Sequence, residues 1–164
     1  MTRSNLRRAF AAPADIEARC GMAQASLTAG LAVGLTDVAG VHCLAEAIGG
    51  LYGHAHGYCC AACMAPVMDY NLPVSQDKYA RLAHAFGIGV GGRSDLELAG
   101  LAIDFIRHLN HDLDVPPLAS LVRVPDLDLL GLKAQQNTSA PSNPRRAGAA
   151  AFTAMFARDL DRAA

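Results

Sequence analysis

The chain has 164 residues and a mass of 17.1 kDa, with 52% hydrophobic, 18% charged and 5% aromatic residues and no tryptophan. That much apolar content over one domain length excludes disorder for most of the chain, and burial of roughly two-thirds of the unfolded surface needs no disulfide or metal staple. Lys and Arg total 14 against 15 Asp and Glu, so the net charge of −1 leaves nothing to neutralise phosphates and excludes nucleic acid as a partner.

In chain order, Arg3, Arg7 and Arg8 make the start basic, but Pro13, Asp15 and Glu17 interrupt before any apolar core of signal-peptide length. Ala14–Ala18 reads as a short helical lead-in and Met22–Thr36 as a helix rich in Ala and Gly. The apolar stretch Gly21–Leu35 contains Gln24, Ser26 and Thr28 and is too short to span a bilayer, so it reads as a buried helix of small residues, with no membrane partner. Val41–Ile48 is a third helical piece stopped by Gly49-Gly50, and Gly57–Tyr70 a fourth, closed by Asn71-Leu72-Pro73. The next helix starts at Ser75 or Gln76 and carries Tyr79, Leu82, Ala83 and Phe86 at helical spacing. Ser94-Asp95-Leu96-Glu97 is a capping box, opening a helix whose core stripe is Leu98, Leu101, Ala102, Phe105, Ile106 and Leu109. Pro116-Pro117 and Pro125 introduce short helices over Leu118–Val122 and Asp126–Gln135. A polar connection over Gln136–Pro144 precedes a last helix, Ala147–Leu160. No strand pattern or internal repeat stands out, so residues 1–164 read as one all-α helical bundle domain.

Three features bear on chemistry. Gly87–Gly92 is glycine-rich, but a phosphate-cradling loop follows a buried strand and this one follows a helix, so it reads as a helix–helix connection. His42 and Glu46 stand four apart on one helix face, and His56 opens the next helix after a Gly-Gly turn, where it can face His42. Two imidazoles and a carboxylate suit a divalent metal such as Fe, Zn, Ni or Co. Equally open on spacing alone are a surface His42–Glu46 pair and a capping role for His56. A rival cluster, His54, His56, Cys60 and Cys63, has one thiolate pair at zinc spacing but no second, and Ala61, Ala62 and Ala65 beside it favour Cys59, Cys60 and Cys63 as small fillers of a buried helix. His84, His108 and His111 read as structural. Five cysteines, three of them crowded at 59, 60 and 63, are no secreted disulfide framework and fit reduced thiols in a cytoplasmic protein.

With these residues laid out, the chain resembles the C-terminal helical domain of the iron-containing (group III) alcohol dehydrogenases, related in fold to dehydroquinate synthase-like proteins. The resemblance rests on Gly40-Val41-His42, Glu46, Gly49-Gly50-Leu51-Tyr52 and Ala55-His56-Gly57. It continues through Ala65-Pro66-Val67-Met68-Asp69-Tyr70-Asn71, Lys78 to Ala83 with Phe86-Gly87, and Asn143-Pro144-Arg145, covering about residues 6–160. By this resemblance His42 and His56 match two metal-ligand histidines of a family that holds one divalent metal, usually iron and sometimes zinc or nickel, through one aspartate and three histidines. Glu46 stands where the family has a pocket histidine associated with proton relay, which implies a catalytic carboxylate or a third ligand. Ala55 replaces the family's proline before the second histidine. The resemblance places the family's remaining aspartate and histidine ligands, and its nucleotide-binding domain, upstream of the part that this chain matches. The resemblance therefore implies the C-terminal half of a metal-dependent, nicotinamide-linked alcohol dehydrogenase, inactive alone. Its metal would be weakly held, and NAD(P) would bind only if another chain supplied the nucleotide-binding domain; the implied partner is that nucleotide-binding chain or a further copy of this one, as a homo-oligomer. Two alternatives are a stand-alone helical pseudoenzyme that binds metal or a protein partner, and a maleylacetate reductase-like fragment.

Overall fold

A computed structural model describes the backbone over residues 2–89 and 91–163 and the side chains over 5–89 and 91–161. Every regular element in the described residues is helical. The chain forms two compact units, Met1–Asp37 and Val38–Ala164.

The first unit pairs α1 (Thr2–Ala11) with α2 (Ile16–Gly34). Pro13 separates them, and Asp15 starts α2 by accepting a hydrogen bond from the Ala18 amide at 3.0 Å. That amide holds the Asp15 carboxyl below the usual carboxylate range, and Arg8 reaches the same group at 2.9 Å. The lead-in and the longer helix anticipated here are one helix, because no residue between Ala18 and Met22 stops propagation once Asp15 has capped the end. The expectation of a buried helix is corrected as well. Only Ala18 of α2 is buried, while Leu27, Leu31 and Leu35 are 67%, 65% and 88% exposed. The apolar residues of α2 are spread around its circumference, and α1 covers one side within this unit.

The second unit is built on α3 (Gly40–Tyr52), α4 (His56–Ala85), α5 (Asp95–Asp112), α6 (Leu118–Leu121), α7 (Leu127–Gln136) and α8 (Ala149–Ala163). The two helices expected over 57–86 meet end to end in α4, divided where Ser75 leaves helical geometry at φ −138°, two residues after Pro73. Pro66 also lies inside α4 and lacks an N–H to give the Ala62 carbonyl, while one residue earlier the Ala61 carbonyl accepts from Asn110 Nδ2 of α5 at 2.7 Å. The capping box at Ser94 and Glu97 forms as the spacing predicts. From it α5 lays Leu98, Ala102, Ile103 and Ile106 along α4, and Phe105 stacks on Phe86 with centroids 4.3 Å apart. The connection between these helices includes Gly87–Gly92, of which Val90 lies outside the described residues.

The main core joins α3, α4, α6, α7 and α8 through Leu44, Ile48, Cys59, Cys63, Leu118, Leu130, Phe152 and Phe156, all 0–1% exposed. At Gly131 of α7 the helix α8 comes so close that a Cβ would stand 2.7 Å from the Ala149 carbonyl oxygen and 3.0 Å from the Thr153 amide nitrogen. Backbone cannot yield as a side-chain tip can. Gly131→Ala is therefore expected to lower stability by about 1–3 kcal/mol despite alanine's better helix propensity. Chemical denaturation of the two proteins checks this, and an unchanged or raised midpoint contradicts the close packing of α7 on α8.

Candidate metal centre

The candidate site stands on how α3 begins and how the chain leaves it. The start of α3 is held by amide chemistry. Asn71 and Asn143 are 3% and 4% exposed and pair reciprocally, Asn71 Nδ2 donating to Asn143 Oδ1 at 3.0 Å and Asn143 Nδ2 to Asn71 Oδ1 at 2.8 Å. Asn143 Oδ1 also accepts the Gly40 amide at 3.3 Å, and Asn143 Nδ2 reaches the Arg145 carbonyl at 2.6 Å. Next to this lock Arg145 donates to the Tyr70 carbonyl at 3.0 Å and lies over the Tyr70 ring. Ala39, at φ 51°, adopts a left-handed backbone unusual for alanine, and its carbonyl receives the amides of His42 and Cys43.

The far end of α3 is pinned by Tyr52, whose hydroxyl donates to Asp126 at 2.8 Å while Arg123 bonds the same carboxylate. Gly53 then takes φ +74°, and the chain doubles back along α3: the His54 carbonyl oxygen stands 3.6 Å from where a Cβ of Gly49 would be. This reversal sets the first residue of α4, His56, beside the third residue of α3, His42. Their rings lie 5.1 Å apart, tilted by 53°.

One turn further along α4, Cys60 Sγ lies 3.4 Å from His56 Nε2. One donor atom from each of His42, His56 and Cys60 falls within 4.8 Å of the others. Spacing singled out Cys60 beside His56 in the rival cluster, but the surrounding alanines favoured it as a core filler; His56 and Cys60 four apart on one helix is the signal that joins it to this pair instead. Cys59 and Cys63 are fully buried and serve as core fillers, as expected for them; Cys60 is only half-buried. Burial, followed by the neighbouring Cys59 and Glu46, pushes the Cys60 thiol up to about 11, which makes it a poor nucleophile at neutral pH. The rival zinc cluster does not assemble, because Cys63 is sealed in the core and His54 turns to the Tyr52 ring, 5.9 Å away. Glu46 is exposed and accepts a hydrogen bond from Asn137 Nδ2 at 2.6 Å, beside a cleft also lined by Lys133 and Gln136. It stands next to the three donors without forming part of their cluster. Of the remaining histidines, His108 engages the Asp104 carbonyl of its own helix at 2.8 Å.

Residues 1–160 match the family described as Fe-containing alcohol dehydrogenase, C-terminal. The chain belongs to the iron-containing alcohol dehydrogenase family. Relatives include a choline dehydrogenase of Bacillus subtilis (strain 168), 37% identical over 154 residues, 93% of this chain and 38% of that protein. A 1,3-propanediol dehydrogenase of Klebsiella pneumoniae is 36% identical over 93% of this chain and 40% of its own length. The solved structure of a 1,3-propanediol oxidoreductase superposes with a TM-score of 0.93 at 34% identity, covering 96% of this chain and 42% of that one. An alcohol dehydrogenase from Oenococcus oeni gives 0.92 at 30% identity over the same share of each chain. The all-α fold expected from the sequence is the fold found, and the chain spans about two-fifths of the length of the relatives it matches. No described helix is long and apolar enough to cross a membrane.

The donors present in this iron-containing alcohol dehydrogenase segment fit a first-row divalent metal, since imidazole nitrogens suit iron, nickel and zinc alike. Their placement depends on the buried amide lock. Asn143→Ala removes the partner of both Asn71 and the Gly40 amide, and is expected to cost about 1–3 kcal/mol. Thermal or chemical melting reads the loss; a variant as stable as the parent removes the lock from this account.

Proposed function

We propose that the chain is the metal-holding, C-terminal half of a nicotinamide-linked alcohol dehydrogenase that interconverts alcohols and aldehydes. The observation that carries this reading is the convergence of His42 and His56, from two helices, with rings 5.1 Å apart. When bound, a divalent metal polarises the oxygen of an alcohol or carbonyl group, and the resemblance favours iron, with zinc or nickel as alternatives. His42 and His56 hold that metal through ring nitrogens. The helix register and the Gly53 reversal orient both rings, so they need little rearrangement to bind. Glu46, one turn beyond His42 and steadied by Asn137, carries the substrate proton on its carboxylate, the task the resemblance gives to a histidine at this position. Hydride exchange with NAD(P) belongs to the portion of the family's length that this match does not cover; one relative is a NAD-dependent methanol dehydrogenase of Bacillus methanolicus.

A second reading has an observation of its own. Glu46 is taken up by Asn137, and Leu27, Leu31 and Leu35 of α2 are exposed. Both suit a helical module retained for metal or partner binding without catalysis. The two readings separate once a nucleotide-binding portion is supplied, because only the first then gives turnover.

For the purified chain alone, no alcohol oxidation with NAD or NADP is expected, and turnover by it overturns the half-enzyme reading. His42→Ala and His56→Ala are each expected to abolish divalent-metal binding measured by calorimetry. Binding that survives both substitutions removes this pair as the metal site.

A further inference from the structure

We propose that Cys60 completes a three-donor site with His42 and His56, so that this chain by itself holds a metal ion and takes zinc in preference to iron. The inference rests on the reading that His42 and His56 bind metal, and adds a ligand and a selectivity that this reading does not contain.

Geometry comes first. Zinc bonds of about 2.0–2.1 Å to nitrogen and about 2.3 Å to sulfur, at a tetrahedral angle, place those two donors about 3.6 Å apart. His56 Nε2 and Cys60 Sγ are 3.4 Å apart. The third donor, on His42, lies within 4.8 Å of both, a distance that small side-chain rotations close. His56 and Cys60 sit on successive turns of α4, so one rigid element fixes this edge of the site. No backbone movement is required.

Chemistry decides the metal. Imidazole accepts iron, nickel and zinc alike, whereas thiolate sulfur is soft and favours zinc over ferrous iron outside clusters. Catalytic zinc sites use three protein ligands drawn from histidine, cysteine and carboxylate, with a fourth position left to water or substrate, and the three donors here have that number and those types. Binding converts Cys60 Sγ–H to a thiolate: the S–H bond breaks, the proton leaves to solvent, and the sulfur lone pair forms the bond to zinc. Nothing is oxidised or reduced. The core cysteines cannot substitute, because Cys59 and Cys63 are fully buried.

The test uses the full chain, kept reduced, titrated with Co²⁺ as a spectroscopic stand-in and then with Zn²⁺. Parallel titrations use Cys60→Ser, Cys60→Ala, Cys59→Ser, Cys63→Ser, His42→Ala and His56→Ala, with circular dichroism confirming that each keeps its helix content. The wild-type chain is expected to show a near-ultraviolet thiolate-to-cobalt band together with visible cobalt bands. Both Cys60 variants lose the near-ultraviolet band and bind Zn²⁺ roughly 100-fold more weakly, the upper end of what loss of an outer-shell partner costs. Under anaerobic competition the wild type selects Zn²⁺ over Fe²⁺, and Cys60→Ser narrows that preference. Visible cobalt bands without the thiolate band, and equal Zn²⁺ affinity in Cys60→Ser, overturn the proposal while leaving the histidine pair in place. A thiolate band that survives in Cys60→Ser but disappears in Cys59→Ser or Cys63→Ser assigns the sulfur elsewhere and overturns it too. Absence of any binding by the wild type removes the metal reading as well as this one.

Discussion

The reciprocal amide pair of Asn71 and Asn143 holds together parts of the second unit that are far apart in sequence. Each amide satisfies the other inside the protein, where an unpaired polar group is expensive. Asn143 also takes the Gly40 amide, so the start of α3, the middle of α4 and the turn before α8 share one hydrogen-bonded node. The geometry leaves little freedom: shifting α3 along α4 by one turn, about 5.4 Å, would break the bond from the Gly40 amide to Asn143 and leave that buried amide without its partner. His42 lies two residues into α3, so its position follows directly from Gly40.

A second constraint brings the partner donors to that position. A helix of 13 residues carries its end about 18 Å from its start, and an ordinary hairpin would leave His56 near Tyr52. Instead Gly53 takes the left-handed conformation that glycine tolerates without a Cβ penalty, and the backbone returns along α3 past Gly49. Tyr52, Arg123 and Asp126 anchor the outer end of this loop. The histidine pair is thus produced by one lock at the start of α3 and one reversal at its end. Neither device is a metal ligand. Together they act as the support that a first layer of ligands requires.

How much of this was legible in the sequence follows from the range over which each signal acts. Capping at Ser94, the helical stripe of α5 and the pairing of His42 with His56 were readable, because local spacing or a spaced motif encodes them. The break in α4 was readable too, because Pro73 cannot supply an N–H to the turn before it, and helical geometry is lost two residues on, at Ser75. Packing against α5 on both sides of the break keeps the two pieces of α4 in one run. Cys60 was obscured by its neighbours: in a run of alanines and cysteines, composition says core, and only the helical phase separates the half-buried Cys60 from Cys59 and Cys63. Glu46 was correctly placed one turn from His42, but its hydrogen bond to Asn137 crosses 91 positions and has no local signature. The exposed face of α2 shows the opposite limit, because an apolar stretch announces that it can be buried and not what covers it.

These limits point to how the centre divides its labour. His42 belongs to the element fixed by the amide lock, whereas His56 and Cys60 belong to the element fixed by the Gly53 reversal. A disturbance of either support moves one side of the donor set relative to the other, but leaves the His56–Cys60 edge intact within its own helix. That edge therefore acts as the rigid member of the centre. The relation between the two histidines is the adjustable one, governed by Gly40 and Asn143 on one side and Gly53 on the other. On the proposed reading, metal affinity would depend also on residues that never touch the ion, with Asn71 and Asn143 acting through the placement of His42.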